Sequence, residues 1–139
     1  MKKCLETIGT IQVISVYKSG IQTAFPFVFY DIGSDETALN SENKSLQERK
    51  TYFTLYCEFK ATNMDTNLSG DLTDKCDTII DSIEKALMNS WDTWTFVNSD
   101  YKIIIDSIDI ESNEPVIDEA EAIGKLLIFG TINYTQTWL

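Results

Sequence analysis

Residues 52–60 read YFTLYCEFK, and apolar and polar side chains alternate along this stretch. Phe53, Leu55, Cys57 and Phe59 fall on one side of an extended chain, which is the pattern of a strand with one buried face. The other side carries only Thr, Tyr, Glu and Lys. This stretch therefore predicts a strand of a sheet that has one dry face.

A helix is predicted further along the chain, where apolar residues recur at helical spacing between residues 72 and 87. Asp71, Asp74 and Asp77 lie in its first turns, where the helix dipole favours negative charge. Ser69 or Asp71 is the expected N-cap. We expect one face of this helix to pack on the sheet. Its apolar stripe consists of Leu72, Cys76, Ile79, Ile80, Ile83 and Leu87.

Shorter patterns predict the remaining elements. They are a short helix within residues 3–11 and strands at 13–17, 25–30, 101–110 and 125–139. Pro26 cannot donate to a ladder, so we expect it at the beginning of its strand or on an edge. One face of the last strand is predicted to carry Leu126, Ile128, Ile132, Tyr134 and Trp138.

The order of these elements defines the expected fold class. It predicts a single α+β domain over residues 1–139, with an antiparallel or mixed β-sheet and helices packed on one face. The polar residues 31–51 and the acid-rich residues 111–122 are predicted as loops. The first loop is either functional or a merely solvated excursion. Residues 89–100 are predicted as a connection in which Trp91 and Trp94 cover the edge of the core.

The charge of the chain excludes several classes of partner. It has 22 acidic and 11 basic residues and a formal net charge of -11. Such a surface repels phosphate backbones and anionic lipid, so we expect neither sequence-specific nucleic-acid binding nor membrane binding.

No stretch approaches the roughly 20 apolar residues that span a bilayer. The three cysteines form no close pair, which favours reduced thiols in a cytosol-like compartment.

The sequence shows no catalytic, cofactor-binding or metal-binding residues. It contains no histidine, which rules out triads and metal sites that use one. Cys-x-x-Cys spacing and Gly-rich phosphate loops are also missing. Cys57 lies mid-strand on the apolar face and is predicted to be an inert thiol. Residues 31–36 offer oxygen ligands but lack the EF-hand spacing, and a solvated turn is predicted there. A carboxylate dyad is not excluded by spacing. We expect a protein that is not an enzyme.

The succession of elements resembles the tail terminator and tail-completion proteins of long-tailed bacteriophages. The resemblance covers nearly the whole chain and rests on the pattern of elements. Its parts are the N-terminal helix, Val16-Tyr17, the strand FPFVFY at 25–30, the polar loop ending in Arg49, the strand YFTLY at 52–56, the helix with IIDSI at 79–83, a tryptophan and a closing amphipathic strand.

This resemblance implies a subunit that forms a homo-oligomeric, hexameric ring on the last ring of the tail tube protein. The ring stops tail polymerisation and offers its head-side face to head-tail connector proteins. No catalytic residues and no cofactor come with it. The protein would assemble in the host cytoplasm and belong to the tail or neck of the virion. DNA would pass through the ring, and the acidic loops at 31–51 and 111–122 would repel it if they faced the channel. Trp138 departs from the polar tail that this family leads us to expect, and is either a docking contact or a cover of the sheet edge.

Other functions remain open at this point. A head-completion or neck protein of a phage would share the partners and differ in symmetry and position. A small-molecule-binding or regulatory α+β domain would use the aromatic sheet face and show a closed apolar pocket. An enzyme ranks last.

Overall fold

The computed structural model describes residues 1–10, 12–14, 25–39, 46–61, 68–90 and 94–139. Eight elements follow one another in these ranges. They are α1 (Lys2–Glu6), β1 (Gln12–Ile14), β2 (Phe27–Leu39), β3 (Leu46–Lys60), α2 (Leu68–Ser90), β4 (Thr95–Val97), β5 (Tyr101–Asp118) and β6 (Ile123–Trp138).

The six strands form one mixed sheet in the order β1-β2-β3-β6-β5-β4. The β1–β2 pair is parallel and the other four pairs are antiparallel. The central strands β3 and β6 pair over their whole length, from Leu46 opposite Thr137 to Lys60 opposite Ile123. This architecture confirms the predicted α+β class.

Both helices contribute to one core on one face of the sheet. Leu72, Ile83 and Leu87 of α2 are fully buried in the same cluster as Phe53 and Leu55 of β3. The first helix joins this cluster through Cys4 and Leu5, and the Cys4 thiol donates a hydrogen bond to the Ala86 carbonyl at 2.9 Å. The predicted face of β6 is buried at Leu126, Ile128 and Ile132, half-buried at Tyr134 and exposed at Trp138.

Most predicted elements are present with different ends. The first helix ends at Glu6, before Gly9, which has a φ of 73° that favours glycine. Strand β1 includes Val13 and Ile14, whereas Ile11 and residues 15–17 lie outside the described residues. Pro26 lies just before β2, as predicted. The prediction of an N-cap at Ser69 or Asp71 is wrong, because α2 begins at Leu68.

The predicted loop at 31–51 is wrong. Asp31 to Leu39 continue β2, and Leu46 to Thr51 begin β3, while residues 40–45 lie outside the described residues. A register shift between Ile32 and Asp35 marks a bulge in β2. A bulge adds a residue to one strand and breaks the alternation of side chains, so this half of the hairpin has no strand period in its sequence.

The predicted loop at 111–122 is also wrong, because β5 continues to Asp118 and only residues 119–122 form a turn. The pairing of β5 with β6 skips Asp106 and Glu111 at two register shifts. These two bulges explain why β5 has 18 residues and β6 has 16.

The predicted connection at 89–100 contains the end of α2 and the short strand β4. Trp94 packs against the core as predicted, and Trp91 lies outside the described residues.

Candidate functional site

The buried ionisable groups of the described core are thiols. The Cys57 side chain is 1% exposed. Burial, and secondarily the neighbouring Cys76, raise the pKa of the Cys57 thiol to about 12. Burial also raises the pKa of Cys76, with a smaller contribution from Asp77. Since the thiolate is the reactive form, these shifts lower the reactivity of both thiols near neutral pH, and Cys57 lies on the buried face of its strand as predicted.

The acidic side chains do not converge on a metal site in the part of the chain that is described. No group of three or more His, Cys, Asp or Glu residues there has an arrangement that could hold an ion. The solvated turn predicted at 31–36 is wrong, because these residues belong to β2. Within the described ranges, no helix is long and apolar enough to cross a membrane.

Strand β5 carries an acidic edge, which we define as its residues Asp106, Asp109, Glu111, Glu114 and Asp118. Strand β4 pairs only with Lys102, Ile103 and Ile104, so among the described strands none covers the rest of the outer side of β5. Asp106 accepts a hydrogen bond from Thr135 at 2.7 Å, and Asp109 accepts one from Asn133 at 3.2 Å. Charges, bulges and Pro115 are features that keep other strands from pairing with an edge.

One end of the sheet carries an aromatic patch, which we define as Phe96, Tyr101 and Trp138. The Tyr101 ring centroid lies 5.9 Å from that of Phe96 and 5.5 Å from that of Trp138. Phe96 is 54% exposed and Trp138 is 44% exposed. Val97 and Leu139 add further exposed apolar surface beside them. The patch is therefore an apolar surface that is exposed to solvent.

The β4–β5 turn holds this patch in place. The Asn98 side-chain oxygen accepts hydrogen bonds from the backbone N–H groups of Asp100 and Tyr101, each at 2.8 Å. The backbone N–H of Leu139 donates to the Asp100 carbonyl at 2.8 Å, which ties the end of β6 to the turn. The sequence pointed to Trp138 but missed Phe96 and Tyr101. The turn residues Asn-Ser-Asp at 98–100, flanked by apolar residues, were the available signal.

A cleft of about 530 Å³ lies at the other end of the sheet, between α2 and the end of β3. Two lysines stand at its rim. The Lys75 ammonium donates to the Lys60 carbonyl at 2.6 Å and lies 3.9 Å from the Asp71 carboxylate. The Lys60 ammonium lies 4.4 Å from the centroid of the Phe25 ring. The cleft is otherwise lined by Thr10, Phe25, Pro26, Phe59, Ala61, Thr78, Ile79 and Ser82.

The cleft was not predicted, because its walls come from distant parts of the chain. Lys60 ends β3 and Lys75 lies on α2, whereas Pro26 lies just before β2. No sequence motif connects these three residues. In a chain with 11 basic residues against 22 acidic ones, two lysines at one opening are a local exception to the overall charge. The surface of the molecule thus combines an acidic edge, an apolar patch and a basic-rimmed cleft.

Comparison with known proteins shows a shared fold but no family. No protein-family model matches the chain, and no curated protein matches it. Among solved structures, it is similar to a chain from the virion of a native gene transfer agent (GTA) particle, with a TM-score of 0.51 and 8% sequence identity. The match covers 97% of this chain and 84% of the other. The protein therefore shares its fold with a chain of a virion particle.

Proposed function

We propose that this protein is a structural virion protein that caps the phage tail tube as an oligomeric ring, stops tail polymerisation and provides the head-tail joining surface. The observation that carries the proposal is the fold shared, over 97% of the chain, with a chain of a GTA virion. The resemblance of the sequence to tail terminators supports the same role.

The surface chemistry supports a role in contacts between proteins. Within the described residues, burial raises the pKa of the Cys57 thiol to about 12, and the carboxylates form no metal site. The exposed aromatic patch is rich in the residue types that dominate protein–protein interfaces. We therefore propose a role that is not enzymatic. The partners would be other copies of this chain in the ring, the tail tube protein and connector proteins.

The acidic edge suits a protein that lines or borders a DNA channel. Asp109, Glu111 and Glu114 are exposed on β5, and such charges repel a phosphate backbone. In this proposal the segment from Glu111 to Asp118 acts as a strand that faces the channel, in place of the loop that the sequence predicts. DNA would pass through the ring without binding to it.

A gene deletion in the parent phage tests the proposal, with tail length measured by electron microscopy. A tail terminator predicts tails of abnormal, extended length that are not joined to heads. Tails of normal length that fail to join heads would instead indicate a head-completion or neck protein. Normal particles would contradict both roles.

The basic-rimmed cleft favours the second candidate, a domain that binds a small molecule. Pockets of a few hundred Å³ hold drug-sized ligands, and this one is about 530 Å³. Mass spectrometry of the protein purified from its natural source, under conditions that preserve complexes, tests this alternative. A stoichiometric small molecule that a cleft-filling Thr78→Trp variant loses would support it.

A further inference from the structure

We propose that copies of this chain associate head to tail, with the aromatic patch of one copy inserted into the basic-rimmed cleft of the next. This inference deepens the proposed ring function, because it names the two surfaces through which the ring would close. It rests on the position, shape and charge of two surfaces of the same molecule.

The two surfaces lie at opposite ends of the sheet. Phe59, which lines the cleft, pairs with Gly124 near the start of β6, and Tyr101 of the patch pairs with Trp138 at its end. These positions are 14 residues apart along β6. At about 3.3 Å per residue, this corresponds to roughly 45 Å along the strand. A patch therefore cannot reach the cleft of its own chain, and the contact is between copies.

The surfaces also match in shape and polarity. The patch presents aromatic rings, of which Phe96 and Trp138 are about half exposed. The cleft has an apolar floor that includes Phe59 and Ile79, and its volume of about 530 Å³ is in the range that encloses ligands of several rings. Burial of aromatic side chains in such a pocket is a common way to anchor an interface.

Charge favours the same pairing. Asp100 is exposed next to Tyr101 of the patch, whereas Lys60 is exposed at the rim of the cleft beside Lys75, whose ammonium is paired with Asp71. Lys102, the nearest lysine in sequence to the patch, pairs with Thr137 and so lies on the opposite face of the sheet from Tyr101. An acidic group beside the patch would meet a basic rim, which steers the two ends together.

The geometry has a consequence for assembly. In the head-to-tail order that we propose, one copy supplies the patch and the next supplies the cleft, so each copy retains one free patch or one free cleft after a first contact. Such contacts continue until the chain of copies closes into a ring. A two-fold symmetric dimer, by contrast, would occupy the patch and the cleft of both copies at once and stop at two copies.

Two variants and their controls test the contact, with mass measured by sedimentation over a range of concentrations and with tail tubes present. Trp138→Ala removes the patch anchor, and Thr78→Trp fills the cleft from an exposed position on α2. Both are expected to weaken self-association by at least about tenfold. Val116→Ala, at another exposed apolar residue, and Thr73→Trp, at another exposed threonine of α2, are expected to leave it unchanged. Circular dichroism of each variant checks that it is folded.

A mixture of the two variants gives the sharper result. Trp138→Ala retains a working cleft and Thr78→Trp retains a working patch, so an equimolar mixture is expected to form a dimer of one copy of each and nothing larger. An interface of patch with patch predicts no such rescue, and a wild-type protein that stops at two copies would contradict the head-to-tail order. A charge exchange adds a further check, since Asp100→Lys and Lys60→Glu should each weaken association and together restore it in part.

The outcomes separate this inference from the proposed function. A ring that both Trp138→Ala and Thr78→Trp leave intact would overturn the head-to-tail contact and leave the ring proposal standing. A wild-type protein that stays monomeric at high concentration and with tail tubes would overturn both.

Discussion

Strands β5 and β6 are paired along their whole length, yet their side chains have very different surroundings. Every second residue of β6 from Gly124 to Ile132 is buried. On β5, the six residues from Glu111 to Val116 are all exposed. The reason is their place in the sheet, because β6 lies between β3 and β5, whereas β5 has the three-residue β4 as its outer neighbour.

This difference shows that the residues that determine stability and the residues that face solvent lie on different strands. The buried face of β6 supplies the core, where side chains contribute most to the free energy of folding. Strand β5 carries the acids and the bulges at Asp106 and Glu111, which a central strand would not tolerate as easily. We expect substitutions in the buried centre of the sheet to change stability, and substitutions on exposed β5 to leave it nearly unchanged.

The largest expected effect comes from the centre of the sheet. Phe53 is 2% exposed on β3 and pairs with Gly130 of β6. Phe53→Ala should lower the free energy of unfolding by about 3–5 kcal/mol, because it removes buried surface and leaves a cavity. Glu114→Ala on exposed β5 should change it by less than about 0.5 kcal/mol. Urea denaturation measures both, and equal losses would contradict the contrast between the strands.

The second largest expected effect on stability comes from two glycines of β6, which have different neighbours. An added Cβ at Gly124 would overlap only the Phe59 ring, whereas one at Gly130 would overlap both the Phe53 ring and the Asp109 backbone carbonyl. Each glycine-to-alanine change should cost about 1–3 kcal/mol or more. A substitution can replace an aromatic ring with a smaller side chain, but no substitution removes a backbone carbonyl. Phe59→Leu should therefore partly rescue Gly124→Ala, and Phe53→Leu should fail to rescue Gly130→Ala in a double-mutant cycle.

The pH dependence of stability reports on the centre through Cys57, which pairs with Leu126 of β6. Its pKa is raised from 9.0 to about 12 in the folded protein. Above about pH 9 the unfolded thiol ionises and the folded one does not, so stability falls as pH rises towards the folded pKa. The loss is about 1.4 kcal/mol per pH unit. Cys57→Ala should show a smaller slope between about pH 9 and pH 10, and an unchanged slope would contradict the burial of this thiol.

The smallest expected change in stability comes from the acidic edge. Pro115 is exposed on β5 opposite Leu126. Pro115→Val should change the free energy of unfolding by less than about 0.5 kcal/mol, yet it removes a residue that discourages pairing with other strands. We expect faster aggregation, measured by light scattering at constant temperature. The matched change Val97→Thr on β4 should not increase aggregation.

The sequence predicted the centre of this fold better than its edges. The alternation around Phe53 and the stripe from Leu72 to Leu87 identified β3 and α2, because burial on one face imposes a period on the side chains. Residues 31–39 and 111–118 were predicted as loops because they are polar and carry bulges. Their backbone hydrogen bonds come from neighbouring strands, which local composition does not reveal.

The candidate site shows the same division. The sequence placed Cys57 on the apolar face of a strand and Trp138 on one face of the last strand, because the alternation of side chains shows which residues share a face. The aromatic patch needed the turn that brings Phe96 to Tyr101, and the cleft needed the packing of α2 beside the end of β3. Contacts between residues far apart in the chain have no local signature, so sequence alone could not assemble either surface.

By itself, the sequence determined that the chain has an acidic surface, an α+β core and no histidine chemistry, because these properties follow from composition and from periods within single elements. Only the tertiary structure decided that the polar segments are strands, that β5 lies near the edge of the sheet, and that the patch and the cleft lie at opposite ends of it. The physical reason is that strand order, register and pockets arise from pairing and packing between distant residues.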